Sequence, residues 1–404
     1  GYVVSNEKFF EPIRDVVSMV KLKASYGLVG NDQIGGDRRF IYNETVIGGG
    51  KYYFGTTPSQ YTSVRLGEFP NPNVGWEKAK KFNLGADLSF FNQLNISVDY
   101  FKENREGIFL QRKSIPMYVG LSTKPWVNIG KMRNSGIDAS LEYHQPLGKD
   151  LHLTVRGNFT YARNRIMDQD EPDYAYTYMN HSGQMQWQKF GLVAAGLFQD
   201  QEDIDSWAKQ SFGEVKPGDI KYLDLNGDGI VDNYDTKPIG YSDIPEIVYG
   251  FGFSLQWKAF DLSAFFQGVA HVSFSTLTDQ TQAFVGRNLK ESSVFADLYG
   301  NTWTPENPGA KYPRMTTGAI DNNNQLSTFW MANGRYLRLK NLELGYTLPK
   351  RIANKIAMQS LRVYLSGVNL FTFSPFKLWD PDLQTGATNY PNNRIINLGL
   401  TIGF

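Results

Sequence analysis

Through most of this chain apolar and polar residues alternate one for one, a period that builds β-strands with one oily and one wettable face. Val20, Leu22, Ala24, Tyr26 and Leu28 share one side of a run whose other side carries Lys21, Lys23 and Ser25. The pattern returns at Phe82 to Phe90, Leu94 to Tyr100, Ile137 to Tyr143 and Leu151 to Tyr161. It resumes at Tyr249 to Trp257, Phe260 to Phe266, Leu361 to Leu365 and Ile396 to Phe404. Between Arg335 and Tyr346 the apolar phase slips from Leu339 to Leu342, which predicts a bulge.

Connection lengths narrow the architecture further. Phe91 to Gln93, Gln145 to Asp150 and Lys258 to Phe260 are short. Ser5 to Ser18 and Leu348 to Ser360 are modest and have room for a helical turn. Asn31 to Glu77, Glu106 to Ile129, Asn164 to Glu246, Val269 to Gly334 and Thr372 to Arg394 are long. Short and long take strict turns. A meander that turns tightly at one end and extends at the other fits an all-β fold: a transmembrane antiparallel up-and-down β-barrel with short periplasmic turns and long external loops. The count is ten full strands and the tail of one at Gly1-Tyr2-Val3-Val4, as though the chain began inside a longer protein. Phe190 to Phe198 is apolar enough to be a strand, yet a crossing there would put every later loop on the wrong side. It is therefore assigned to an external excursion over residues 166–247.

A soluble β-sandwich with one apolar face is the competing architecture. Against it stand the recurrence of the apolar face on nearly every run and run lengths that suit a tilted membrane crossing. Aromatic pairs also gather at run ends, as at Trp257/Phe260, Tyr100/Phe101 and Phe371/Phe373, like interfacial girdles. The 23 Tyr, 27 Phe and 39 Gly among 404 residues are strand formers and turn formers. There is no apolar run of about 18 residues, which excludes a transmembrane helix and leaves a barrel untouched. Basic and acidic residues, 41 and 40, leave no global field to attract nucleic acid. Absence of cysteine removes disulfides, thiolate metal sites and cysteine nucleophiles. Asn397 to Phe404 alternates and ends in an aromatic, similar to the terminal signal of outer-membrane barrels.

Several segments resemble the SusC/RagA family of TonB-dependent outer-membrane transporters. They are Leu22 to Asn31 (LKASYGLVGN), Asn128 to Ile137 (NIGKMRNSGI), Pro217 to Tyr222 with Asp224 to Asp235, Asn333 to Asn341 (NGRYLRLKN), and the pair Gly367 to Phe371 and Asp380-Pro381-Asp382. They occur in family order. The resemblance implies a 22-stranded barrel filled by an N-terminal plug, of which this chain is the C-terminal half. It further implies a SusD-like lipoprotein on the external side, TonB acting through the plug, and the N-terminal half of the same barrel as partner. The cargo it implies is an oligosaccharide or peptide, imported without any bond being made or broken.

One motif carries sharp chemistry. Asp224 to Asp235 (DLNGDGIVDNYD) fits the twelve-residue calcium loop, with oxygen ligands at Asp224, Asn226, Asp228, Asp232 and Asp235 and the Ile230 carbonyl at the seventh position. Gly229 supplies the sharp turn. Alternate residues of a tight loop can converge the six to eight oxygens that Ca²⁺ takes. The last ligand is Asp rather than the usual Glu, and no helices are expected to flank the loop, as in dockerin-type loops. A structural Ca²⁺ that clamps the external excursion is the expectation; the bland alternative is an Asp/Asn/Gly turn without an ion.

Elsewhere the chemistry is sparse. His144, His152, His181 and His271 form no metal-spaced pair, and there is no GxSxG elbow or P-loop, so no catalytic residue is assigned. Tyr174, Tyr176, Tyr178 and Trp187 lie among carboxylates in one loop, where aromatic faces suit sugar stacking or peptide capture, and equally suit fixing a long loop. Lys21, Lys23, Asp87, Asp99, Asp138, Glu142, Arg156, Asp261 and Arg362 fall on the polar strand face. They are expected to line a hydrated lumen and to pair with the plug or with neighbouring strands. The committed reading is active import across the outer membrane. The alternatives are a passive porin or adhesin barrel, and a soluble calcium-stabilised β-domain that binds glycans.

Overall fold

In a computed structural model, each alternating run becomes a strand of a single antiparallel sheet. The structure describes residues 1–33, 38–57, 59–121, 123–278, 281, 295–316, 318–356, 358–386 and 389–404. Parts of four expected long connections (34–37 and 58, 122, 279–280 with 282–294 and 317, and 387–388) lie outside the described residues.

The sheet strands in chain order are β1 (Tyr2–Val3), β2 (Val17–Asn31), β3 (Glu77–Phe90), β4 (Leu94–Gln111), β5 (Trp126–Pro146) and β6 (Leu151–Asp168). They continue as β7 (Ile247–Trp257), β8 (Phe260–Ala270), β9 (Tyr336–Thr347), β10 (Ser360–Phe373) and β11 (Ile395–Gly403). Each pairs only with its sequence neighbours, so the 11-stranded sheet is one uninterrupted meander: ten long strands and a two-residue stub. Tight turns close one end. Phe91 and Asn92 both hold φ near +54°, and the Gln93 amide donates to the Phe90 carbonyl, a turn whose twist matches a hairpin. The modest links carry the helical turns their length allows, at Lys8–Ile13 and Lys350–Ala353.

The phase slip in β9 is a bulge. Register against β8 jumps between Phe265 and Phe266, and against β10 between Leu339 and Asn341, so Lys340 stands outside the ladder. Without it, Leu342 and Leu344 would turn to the polar side.

No described helix is long and apolar enough to cross a membrane, which says nothing of crossing by strands. The sheet itself points to such crossing. Its apolar face is exposed: Tyr26 is 71% accessible and Leu398 78%, with Leu84, Phe251, Leu344 and Leu365 also open. A sandwich would bury that face, whereas a barrel turns it to lipid. Among the described residues both edges of the sheet are open. β1 offers β2 only two partners, and β11 pairs with β10 alone.

Candidate functional site

Among the described residues, the large buried hydrophobic cluster lies outside the sheet, in the connections after β6 and β8. Short strands knit each connection to itself: Lys189–Gly191 with Lys237–Ile239, Ala194–Leu197 with Ile220–Tyr222, and Ser273–Ser275 with Met331–Asn333. Phe190 to Phe198 thus falls in small sheets of its own and not in the 11-stranded sheet. Leu192, Ile220, Tyr222 and Val231 from the first connection pack with Leu298, Trp303, Tyr312 and Trp330 from the second.

A polar clasp runs through this core. Asp219 is fully buried. Its Oδ1 accepts from Arg314 Nε at 2.8 Å and Asn323 Nδ2 at 2.9 Å, and its Oδ2 from Arg314 Nη2 at 3.1 Å and the Lys216 amide at 2.8 Å. Gly218, beside it at φ +90°, lies under the Trp303 ring, which a Cβ would strike. Tyr222 donates its hydroxyl to the Asn322 carbonyl at 2.8 Å, and burial pushes that phenol far up.

The calcium-type loop winds tightly on the surface of this unit. Asp224 accepts from the Gly227 and Gly229 amides at 2.7 and 2.8 Å, Asn226 from Asp228 at 2.9 Å, and Asp228 from Ile230 at 2.9 Å. Asp232 accepts from Tyr234 at 2.7 Å. Asp235 is fully buried and accepts from Leu225 at 2.7 Å, Asn226 at 3.3 Å and Asp232 at 2.8 Å. Gly227 and Gly229 sit at φ +76° and +84°, which a β-carbon would strain. Every side-chain ligand position therefore holds at least one backbone N–H group, and apart from Asp235 Oδ1, which takes the Leu225 and Asn226 amides, each carboxylate oxygen retains a second acceptor direction. Among the described residues no three His, Asp or Glu side chains stand grouped to hold an ion. The donor set itself, oxygen only and rich in carboxylates, is that of a hard cation.

The aromatic loop is bound to this ring. Tyr176 and Tyr178 stack with centroids 5.3 Å apart, Tyr176 meets Tyr234 edge-on at 6.2 Å, and the Tyr178 hydroxyl donates to the Tyr234 carbonyl at 2.7 Å. Burial, and after it the carboxylate of Asp235, raise the Tyr178 phenol. Tyr174 instead faces His181, which stacks on Phe190 at 3.9 Å and has its pKa lowered by that burial. Trp187 is exposed at φ +64° and does not join the tyrosine pair.

On the polar face of the sheet, strands pair with strands. Lys23 reaches Asp87 at 2.6 Å and Asp99 at 3.1 Å, with Lys21 at 3.7 Å from Asp87. Arg362 bridges Asp261 and Glu343, each at 2.5 Å. Asp138 takes the Thr160 hydroxyl, Glu142 meets His144, and Arg156 makes no ion pair among the described residues.

Two anchors escaped sequence reasoning. Arg338, almost wholly buried, holds Asp380 at 2.5 Å and Asp382 at 2.6 Å and so ties down the last long connection. Asp170 closes the β4–β5 connection by accepting from Arg112 and from the Lys113 and Ser114 amides. Burial alone would raise the Asp170 carboxyl, but these donors hold it down at about 2.

Residues 46–370 match the family model described as TonB dependent receptor-like, beta-barrel. The chain is 29% identical to TonB-dependent receptor P3 of Formosa agariphila, covering 99% of this chain and 41% of that protein. It is 26% identical to TonB-dependent receptor SusC of Bacteroides thetaiotaomicron, over 100% of this chain and 39% of that one. In fold it resembles the RagAB peptide importer in its open-open state, with TM-score 0.74, 23% identity, and coverage of 100% of this chain and 42% of that one. The chain thus spans about two fifths of the length of these relatives.

Proposed function

We propose, from the premise that this chain belongs to the TonB-dependent receptor-like β-barrel family, that it is wall and external face of an outer-membrane importer. The family is one of transporters, not enzymes. The observation that carries the reading is the joining of two parts in one chain. A ten-strand meander turns an apolar face outward, and the long connections at one end fold into a unit with its own buried core.

The rest of the importer is part of the same proposal. A plug, a segment contacting TonB and the strands that complete a 22-stranded barrel would lie in the remaining length that the relatives have. The paired charges on the polar strand face would then line the space around the plug. A SusD-like lipoprotein would cap the external side, and the cargo would be a glycan or peptide oligomer, in keeping with a relative named SusC and a fold neighbour described as a peptide importer. Tyr174, Tyr176, Tyr178 and Trp187 are the aromatic faces proposed to meet it. The loop Asp224 to Asp235 is proposed to hold a structural Ca²⁺ through Asp224, Asn226, Asp228, the Ile230 carbonyl, Asp232 and Asp235, which would fix the tyrosine pair through Tyr234. Its ring of oxygen donors, pre-wound by its own amides, supports this.

The test is uptake of labelled oligoglycans and oligopeptides by cells carrying the full-length protein, with and without TonB. Uptake of one class should require both the protein and TonB. Uptake that persists without TonB would make the barrel a passive pore, and a protein that stays in solution without detergent would sink the membrane reading.

A further inference from the structure

We infer that the outer end of β9 to β11 binds a phosphate-bearing lipid of the leaflet that the long connections face. The inference rests on the reading that this sheet crosses the outer membrane.

Strand parity sets the geometry. Arg335 falls in the same column as Leu337 and Leu339 of β9, and Arg394 in the same column as Ile396, Leu398 and Leu400 of β11. Leu337 and Leu339 pair with Phe373 and Phe371 of β10, both exposed, so these columns lie on the apolar face. Each arginine therefore heads a ladder of lipid-facing side chains at the end where that ladder meets water. The Arg394 guanidinium lies 5.6 Å from the Phe371 ring centre. Beside it a groove is lined by Tyr249, Ala270, Arg335, Leu337, Phe373 and Lys377, which places two cations over one aromatic floor. The Ser374 hydroxyl donates to the Arg335 carbonyl at 2.8 Å and fixes the rim between them.

Arg335, Lys377 and Arg394 make no ion pair among the described residues. On the same face and at the same end of β3 and β4, Lys80 meets Glu106 at 3.2 Å. A lone cation at a membrane rim reaches for water by snorkelling. Three of them above an aromatic belt, with two planar guanidinium forks, match a phosphate in charge and in bidentate geometry. The apolar columns below supply the bed for acyl chains. A free phosphate ion would use only the cations, whereas a lipid uses both parts, and the continuity of groove and ladder favours the lipid.

The experiment uses the full-length protein, purified in detergent and stripped of lipid. Native mass spectrometry would follow retention of monophosphoryl lipid A, with phosphatidylcholine and inorganic phosphate as separate probes. The wild type should hold lipid A at least about tenfold more tightly than phosphatidylcholine, a difference of about 1.4 kcal/mol. Arg335→Gln/Lys377→Gln/Arg394→Gln should erase that preference, the single exposed change Arg394→Gln should weaken it several-fold, and Lys258→Gln at the opposite end should leave it intact. Equal retention of lipid A by wild type and triple variant would overturn the inference. So would equal retention of the two lipids, or displacement of lipid A by inorganic phosphate, which would mark a free-anion site. Failure of the underlying reading looks different: the protein would not sediment with outer membranes at all.

Discussion

Asp219→Asn should loosen the external unit while leaving the barrel wall intact. The carboxylate is fully buried and takes four hydrogen bonds, two of them from Arg314. An amide keeps the shape, loses the charge, and turns an NH₂ toward a donor. Removing one member of a buried ion pair costs about 3–5 kcal/mol. The Arg314 side chain is 22% exposed and can recover some water, so the lower end, about 3 kcal/mol, applies here. That raises the opening equilibrium about 100-fold. Native-state hydrogen exchange on the full-length protein reads it directly. The Phe198 amide, bonded to the Asp219 carbonyl, and the Ile220 amide, bonded to Asn323, should exchange about 100-fold faster. Amides of β7, paired along its whole length on both sides, should not change. Glu214→Gln, on a side chain 83% exposed, is the matched control. A rise below about threefold at Phe198 and Ile220, or an equal rise in β7, would refute the argument that this clasp holds the unit.

Two further outcomes are expected. Asp170, held at about 2 against an ordinary 3.8, contributes about 2 kcal/mol to closing the β4–β5 connection. Because its pKa is lowered in the folded protein, that contribution is complete above about pH 4 and fades as pH falls through about 2. Asp170→Asn should therefore speed proteolysis near Lys113 and Lys124 at neutral pH, and an unchanged cleavage rate would count against it. Removal of calcium should lower the melting temperature of the wild type but not of Asp224→Ala/Asp228→Ala; a wild type indifferent to chelation means the loop holds no structural ion.

The wall was legible because each strand carries its own instruction. Alternation in Leu94 to Tyr100 assigns faces without reference to any other strand, and parity of connection length orders the strands once the faces are known. Even the Lys340 bulge shows locally, as a slipped phase. The clasp was hidden for the opposite reason. Asp219 and Arg314 are 95 residues apart, and nothing periodic in either loop announces the other. Likewise the calcium-type loop and the tyrosine loop are each visible as spacing or composition, but the Tyr178–Tyr234 bond spans 56 residues and exists only in three dimensions. Arg338 and Asp380 lie in separate motifs whose meeting needs β9 and β10 to be paired first.

The open edge of β11 has a consequence for assembly. Nine residues long and bonded only to β10, it leaves roughly four backbone N–H groups facing outward, one for every second residue. In hydrocarbon each unpaired group costs several kcal/mol, so this edge alone is penalised by on the order of 10 kcal/mol. Strands of this sheet therefore cannot enter a bilayer one hairpin at a time and wait there. Insertion is thermodynamically a single event, complete only when the seam has met its complement, and the seam itself is the natural place for an assembly factor to lend a temporary strand.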